Sequence, residues 1–239
     1  MSEKIINVAE YLRANSYPGR GIIVGKTPDS THAVTAYFIM GRSVNSRNRV
    51  FKWAGDDHLI TKAHDPALLT DPSLVIYSPL RKFGDKLIVT NGDQTDTILE
   101  FLGRGEDFAS ALHTRTFEPD PPNWTPRISA MLHFGDELRY EMSVLKSVDE
   151  AGSAASKMFY SYPAKAGSGH FIHTYSADDG KRLHPFEGHP IPVATENCPE
   201  KFAESLWTSL DSENKVSLLV RYTDLATMAV RDIVINKHA

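Results

Sequence analysis

Cys198 is the only cysteine among the 239 residues. No disulfide can close within the chain, and a cysteine-rich zinc site is excluded. Long apolar runs are missing too: nothing approaches the roughly eighteen residues of a membrane helix. The opening MSEKIINVAEYLRANS lacks the charged-then-apolar layout of a secretion signal. Without such a signal the glycosylation-type triplet Asn123-Trp124-Thr125 carries little weight. Nor is positive charge in excess. Lysine and arginine total 26 against 30 acidic residues, a net charge of −4, which argues against general binding of nucleic acid or of a membrane surface. A cytoplasmic protein is expected, and any anion site in it must be local.

Several familiar motifs are absent although their raw materials are present. Ten histidines occur, none in an HExxH or similar metal-ligand pattern. His170 and His173 stand three apart in an expected strand and so point to opposite faces. There is no Gly-x-Ser-x-Gly elbow, and Cys198 lies beside a proline in a polar segment. The stretch GRGIIVGKT, residues 19–27, comes close to a phosphate-binding loop, but Arg20 stands where the first glycine is required. Its GIIV is also strand-like, whereas that loop needs a flexible cradle of exposed amides. Metal and ordinary nucleophile chemistry are both disfavoured.

What is there reads as one domain, residues 1–239, with 41% hydrophobic and 23% charged residues, ordinary for a globular chain able to bury a real core. Apolar spacing predicts a short helix over 4–14, then strands at 21–25 and 33–40 joined by the turn residues Lys26 to Ser30. Further strands are expected at 73–77 and 86–90, and helices over 95–102 and 106–114. The proline-rich 118–127 cannot be regular structure and reads as a rigid loop. Downstream, 128–134, 138–148, 157–163 and 169–175 look like successive antiparallel strands. A helix over 201–210 and strands at 216–222 and 228–236 close the chain. This order predicts an α+β fold, antiparallel sheets covered by helices.

Polar residues gather where strands end. GRSVNSRNRVF, residues 41–51, holds Arg42, Arg47 and Arg49 with Ser43 and Asn48 and no acid among them. Tyr77 ends the run SLVIY. Asn91-Gly92 follows the next run and leads through Thr95-Asp96-Thr97-Ile98 into a helix. Glu118, Thr125 and Arg127 flank the proline-rich loop. Each has a bland reading as well: a tight turn or helix cap for 91–95, a core aromatic for Tyr77, a surface pair for Glu118 and Arg127.

Taken in order, these segments resemble the archaeal-type IMP cyclohydrolase family. The resemblance is carried by Gly19-Arg20, the stretch ending Asn48-Arg49, Tyr77, Asn91-Gly92 with Thr95-Asp96-Thr97-Ile98, and Thr125-Pro126-Arg127-Ile128. It spans residues 17 to about 130, and the second half looks more like bacterial relatives. It implies a four-layer α/β/β/α sandwich of two mainly antiparallel sheets, similar to the N-terminal nucleophile hydrolases. It also implies IMP cyclohydrolase activity (EC 3.5.4.10), closing a formamidoimidazole carboxamide ribonucleotide to IMP with loss of water, the last step of purine synthesis.

The purine ribonucleotide would then be the partner, with no cofactor, no metal, no nucleic acid and no membrane, and a homo-oligomer is expected. By resemblance the catalytic residues fall on Arg49, Tyr77 and Glu118. Arg47 competes with Arg49, and Asp120 with Glu118. Candidates for holding substrate are Arg20, Arg42, Ser43, Arg47, Asn48, Asn91, Gly92, Thr125 and Arg127. One departure stands out. The wider fold family exposes a terminal nucleophile, whereas here Ser2 precedes an expected helix and no motif ties it to the site. Another amidohydrolase, or a purine-nucleotide-binding protein without turnover, are the alternative readings.

Overall fold

The computed structural model describes residues 4–178, 180 and 182–238, so Ser2 lies outside the described residues. In chain order come α1 (Val8–Ala14), β1 (Arg20–Lys26), β2 (His32–Met40) and α2 (Val44–Arg47). Next are β3 (Arg49–Gly55), β4 (His58–Ala63), β5 (Leu80–Phe83) and β6 (Lys86–Thr90). The helices α3 (Gln94–Gly103) and α4 (Phe108–His113) precede β7 (Arg127–His133), β8 (Arg139–Ser147) and β9 (Ala155–Pro163). Then follow β10 (Ser168–His173), β11 (Tyr175–Asp178), β12 (Leu183–Pro185), β13 (Ile191–Ala194), α5 (Pro199–Ser209), β14 (Lys215–Asp224) and β15 (Val230–Asn236).

Two large sheets dominate. One has six strands in the order β13-β10-β1-β2-β14-β15, and the other is a seven-stranded meander from β3 to β9. The pairings within both are antiparallel. Ile22, Val24, Tyr37, Ile39 and Leu219 of the first pack against Leu87, Val89, Ile128, Ala130 and Met142 of the second. The other face of the six-stranded sheet presents Ile23, Val34, Ala36 and Phe38 to Val8 and Leu12 of α1 and to Phe202 and Leu206 of α5. Ile88, Met131 and Leu145 of the meander pack on Ile98, Phe108 and Leu112 of α3 and α4. The result is the expected α+β sandwich, helix on sheet on sheet on helix. Strands covered on both faces read as unbroken apolar runs, which is why GIIVG and AVTAYFIM were visible as strands.

The expected hairpin of β1 and β2 forms, with Ile22 opposite Tyr37. Residues 73–77 do not form the expected strand. The Pro72 carbonyl accepts from the amides of Val75 at 3.1 Å and Ile76 at 2.9 Å, a turn bracketed by Pro72 and Pro79, neither of which can donate to a ladder. The strand falls instead on β5. The first helix begins later than expected, because Asn7 caps it and Ile6 bridges to Val193. The strand expected at 169–175 breaks at Thr174 into β10 and β11. Strands β3, β4, β12 and β13 were not anticipated; polar residues interrupt their apolar pattern. Among the described residues no helix is long and apolar enough to cross a membrane.

Leu219, fully buried between the sheets, and Phe83, 38% exposed on β5, make a contrasting pair. Leu219→Ala is expected to lower unfolding free energy by about 2–5 kcal/mol, and Phe83→Ala by less than about 1 kcal/mol, as read by urea denaturation.

Candidate active site

A cavity of about 280 Å³ opens at one end of the sandwich, lined among others by Tyr17, Arg20, Arg42, Glu118, Thr125 and Tyr175. Arg20 arrives there because β1 starts at the sheet's end, one residue after the turn at Gly19. That glycine has φ +76°, and a Cβ on it would fall 2.2 Å from Thr174 Oγ1 and 2.6 Å from the Tyr175 ring. Any other residue would push Tyr175 away from the site.

Glu118 is held by its loop. Its amide donates to the Thr125 carbonyl at 2.8 Å, and its carbonyl accepts from the Asp120 amide at 2.9 Å. The carboxylate is buried and stands 3.5 Å from Arg20 Nη2. That separation is too long for a strong ion pair. Burial therefore prevails over the attraction of Arg20 and Arg127, the Asp120 charge adds to it, and Glu118's pKa rises from its ordinary 4.5 to about 7. Burial also works against the charge of Arg20, but Glu118 and the phenols of Tyr175, Tyr77 and Tyr17 more than offset it, and its affinity for the proton rises.

Behind Arg20 lies Arg49, fully buried at the start of β3. Its Nε donates to the Ser46 carbonyl at 2.8 Å and its Nη2 to the Met40 carbonyl at 3.1 Å. Burial depresses its proton affinity, the Tyr77 phenol opposes that, and the Arg20 charge reinforces it. Arg20 Nε and Arg49 Nη1 are buried with no hydrogen-bond acceptor among the described residues. Leaving a buried N–H unpaired costs roughly 1–3 kcal/mol, so two in one place single out this end of the sandwich as the candidate site.

Tyr77 is carried by the turn that replaced the expected strand. Its amide donates to Thr61 Oγ1 at 2.8 Å, and its Oη meets Tyr37 Oη at 2.7 Å. Burial raises the Tyr37 pKa well above its ordinary value, so that phenol keeps its proton. On the other flank, Asp120 accepts from the Thr125 amide at 2.7 Å and from Thr125 Oγ1 at 2.5 Å.

Residues 17–227 match the family described as IMP cyclohydrolase-like protein. The chain belongs to the IMP cyclohydrolase-like family. It is similar to curated archaeal IMP cyclohydrolases. That of Haloquadratum walsbyi is 28% identical over 141 residues, 56% of this chain and 67% of the relative. That of Methanopyrus kandleri is 35% identical over 117 residues, 47% of this chain and 57% of the relative. A third, from Methanococcus maripaludis, is 32% identical over 120 residues, 48% of this chain and 58% of the relative. The matches thus span about half of this chain and somewhat over half of these relatives.

In this family member the segments singled out in the sequence do converge, with different tasks. Arg20, Arg42, Ser43, Glu118 and Thr125 line the cavity, and Arg49 and Tyr77 are buried behind it. Arg42 sits on the rim, its Nη1 donating to Asp178 at 2.8 Å and its guanidinium 5.1 Å from the Tyr17 ring centre. Arg47 turns away, donating to the Gly41 carbonyl and to Asn214 Oδ1, each at 3.0 Å. Asn48 clamps the Asp65 backbone through two hydrogen bonds. Asn91 is spent on structure as well: Oδ1 accepts from Ile128 N and Gln94 Nε2, and Nδ2 donates to the Pro126 carbonyl, all at 2.9 Å. These bonds fasten the two motifs to each other.

Arg127 bridges Gln94 Oε1 at 2.7 Å and Asp93 at 2.6 Å. Gly92 leaves it room, since a Cβ there would lie 2.6 Å from Arg127 Nη1. Sequence reasoning missed Tyr17, Tyr37, Gln94 and Tyr175. Only Tyr17 carried a local signal, standing in the Tyr-Pro-Gly turn; the others read as core or helix residues.

Glu118 makes stability depend on pH. Its folded pKa of about 7 exceeds the ordinary 4.5, so the folded state binds the extra proton, and this contribution is lost as pH rises through about 7. Glu118→Gln should therefore gain stability relative to the parent between pH 4.5 and 7, by up to about 3 kcal/mol. Urea midpoints measured across that range test the sign.

Proposed function

We propose that the chain is an IMP cyclohydrolase, closing the formamidoimidazole carboxamide ribonucleotide to IMP with release of water. The observation that carries the reading is a buried carboxyl with a proton affinity near neutral, set against two arginines whose inward N–H groups lack acceptors. Family membership supports it.

In the first stage the carboxamide nitrogen attacks the formyl carbon. A C–N bond forms, the nitrogen gives up a proton, and the formyl oxygen gains one. In the second stage the resulting hydroxyl leaves as water, taking a proton, while the former formamide nitrogen loses one and the ring becomes aromatic. No enzyme nucleophile is needed. The chain must hold the two side groups together, which can be worth roughly 7–11 kcal/mol, stabilise the oxygen as it becomes negative, and move protons. Arg20 and Arg49 suit the oxygen, because Arg20 Nε and Arg49 Nη1 are buried without protein acceptors among the described residues, where the effective dielectric is low. Glu118 suits the transfers: as the anion it takes the nitrogen's proton, and with a pKa of about 7 it can return one. The Tyr77–Tyr37 pair supplies a second donor beside Arg49. Asp120, with both oxygens engaged by Thr125, acts as a fixed charge rather than as the proton carrier.

At the rim, Arg42 and Ser43 suit the monophosphate, an anion that favours arginine. In this reading residues 1–239 form one domain, related in fold to the N-terminal nucleophile hydrolases but using no terminal nucleophile, and serve purine synthesis in the cytoplasm.

A spectrophotometric assay with the formylated ribotide, without added metal, should show cyclisation. Tight IMP binding without turnover would instead indicate a nucleotide sensor. Arg49→Met and Arg20→Met should each lower kcat by about 100-fold or more; near-parental rates in both would sink the arginine assignment. The kcat/KM profile should rise with pH through about 7, and that limb should vanish in Glu118→Gln. Arg42→Ala should raise KM about tenfold with kcat nearly unchanged, the mark of uniform binding.

A further inference from the structure

The second half of the chain contributes one side chain to the cavity wall whose hydroxyl has a defined direction. Tyr175, the first residue of β11, is 2% exposed. Its Oη lies 2.5 Å from Thr125 Oγ1, which lies 2.5 Å from Asp120 Oδ2. Thr125 has one hydroxyl proton. Asp120, receiving the Thr125 amide as well, is an acceptor, so the threonine proton goes to it. Tyr175 must then donate to Thr125, consistent with burial raising its pKa above the ordinary phenol value. The chain of donation runs one way, from Tyr175 through Thr125 to Asp120.

The phenol cannot drift. The Tyr175 carbonyl accepts from His173 Nδ1 and Asn15 Nδ2, each at 3.0 Å, and its amide donates to the Pro18 carbonyl. Burial lowers the His173 pKa to about 3; the ring stays neutral, with Nδ1 as donor and Nε2 accepting from Tyr11 Oη at 2.8 Å. The Tyr175 ring stacks on Tyr17 with centres 5.9 Å apart and fills the space left by Gly19. At the far end of the chain, Asp120 and Glu118 share one short loop through Thr125.

We propose that Tyr175 is a positioning residue which, through Thr125, holds the Asp120 carboxylate against Glu118 and so governs the group that carries the proton. The charges facing Glu118 are Arg20 from β1, Arg49 from β3, Arg127 from β7 and Asp120 from its own loop. The three arginines favour its ionised form; burial opposes them first, and Asp120 is the one charge that adds to burial. Where the Asp120 charge sits therefore adjusts how readily Glu118 releases its proton, on top of the larger effect of burial. If Thr125 Oγ1 loses the phenol that fixes it, its bond to Asp120 loosens. Held then chiefly by the Thr125 amide, the carboxylate can swing away, its repulsion weakens, and Glu118 becomes more acidic.

The kinetic part of the test rests on the cyclohydrolase reading, while the titration does not. The Glu118 carboxyl is followed by NMR on protein with isotope-labelled glutamate carboxyls, its signal assigned by loss in Glu118→Gln. The parental midpoint should lie near 7. Asp120→Asn should lower it by at least about one unit, and Tyr175→Phe and Thr125→Val by about half a unit each. Thr125→Ser, which keeps the hydroxyl, should restore the parental value. With the formylated ribotide, the acid limb of kcat/KM should move down in step. Tyr175→Phe should cost about tenfold in kcat with KM within about twofold. An unchanged midpoint in both Tyr175→Phe and Thr125→Val, with only a lower melting temperature, would reduce the phenol to packing and overturn the proposal. Shifted midpoints in a protein that never cyclises the ribotide would uphold the relay and reject the cyclohydrolase.

Discussion

One guanidinium group, that of Arg49, is fully buried at one end of a two-sheet sandwich, and a second, that of Arg20, is largely buried beside it with a single carboxylate 3.5 Å away. Burying charge is expensive unless it is paired and fully hydrogen-bonded, and here the pairing is loose and the hydrogen bonding incomplete: Arg20 Nε and Arg49 Nη1 have no acceptors among the described residues. The surroundings reduce that cost without removing it. The Met40 and Ser46 carbonyls take two of Arg49's donors, and the phenols of Tyr17, Tyr37 and Tyr77 lend their oxygens' partial charge. What remains unpaired is the capacity to accept a ligand. A site that saturated itself would be more stable and would have fewer donors left for a ligand.

Most of the important pairs at this end cross from one large sheet to the other. Arg20 on β1 meets Glu118 from the loop before β7, and Arg49 on β3 reaches the end of β2. Tyr37 on β2 meets Tyr77 from the loop before β5. Tyr175, just past β10, meets Thr125. The seam that buries the apolar core at mid-strand thus becomes polar where the strands end, and the same packing that holds the sheets together sets the spacing of the site.

Support for the seam comes from polar side chains fully used in structure. Asn91, Gln94 and Arg127 form one network that locks the start of β7 to the start of α3. Their identity is demanding because a buried amide must satisfy both ends at once. Such residues make a recognisable motif through the structure they hold together, as Asn91 does with Gln94, Pro126 and Ile128.

The strands covered on both faces were legible because continuous apolar runs have few other destinations. So were the helices α3, α4 and α5, whose stripes face a sheet. The family motifs marked Arg49, Tyr77 and Glu118 as members of one site. Strands β3 and β4 stayed hidden because Lys52, Lys62 and their exposed neighbours interrupt the pattern, and Ser73–Tyr77 misled because an apolar run between two prolines can bury itself in a turn. By itself the sequence determined which residue types would be available and roughly where the strands buried on both faces would end. Only the tertiary structure decided which of three nearby arginines goes inward, that Arg47 leaves while Arg49 stays, and that a tyrosine fifty residues from Thr125 completes its hydrogen bonding. Those choices depend on contacts between sheets, and the separation along the chain of residues that meet across a seam follows no local period.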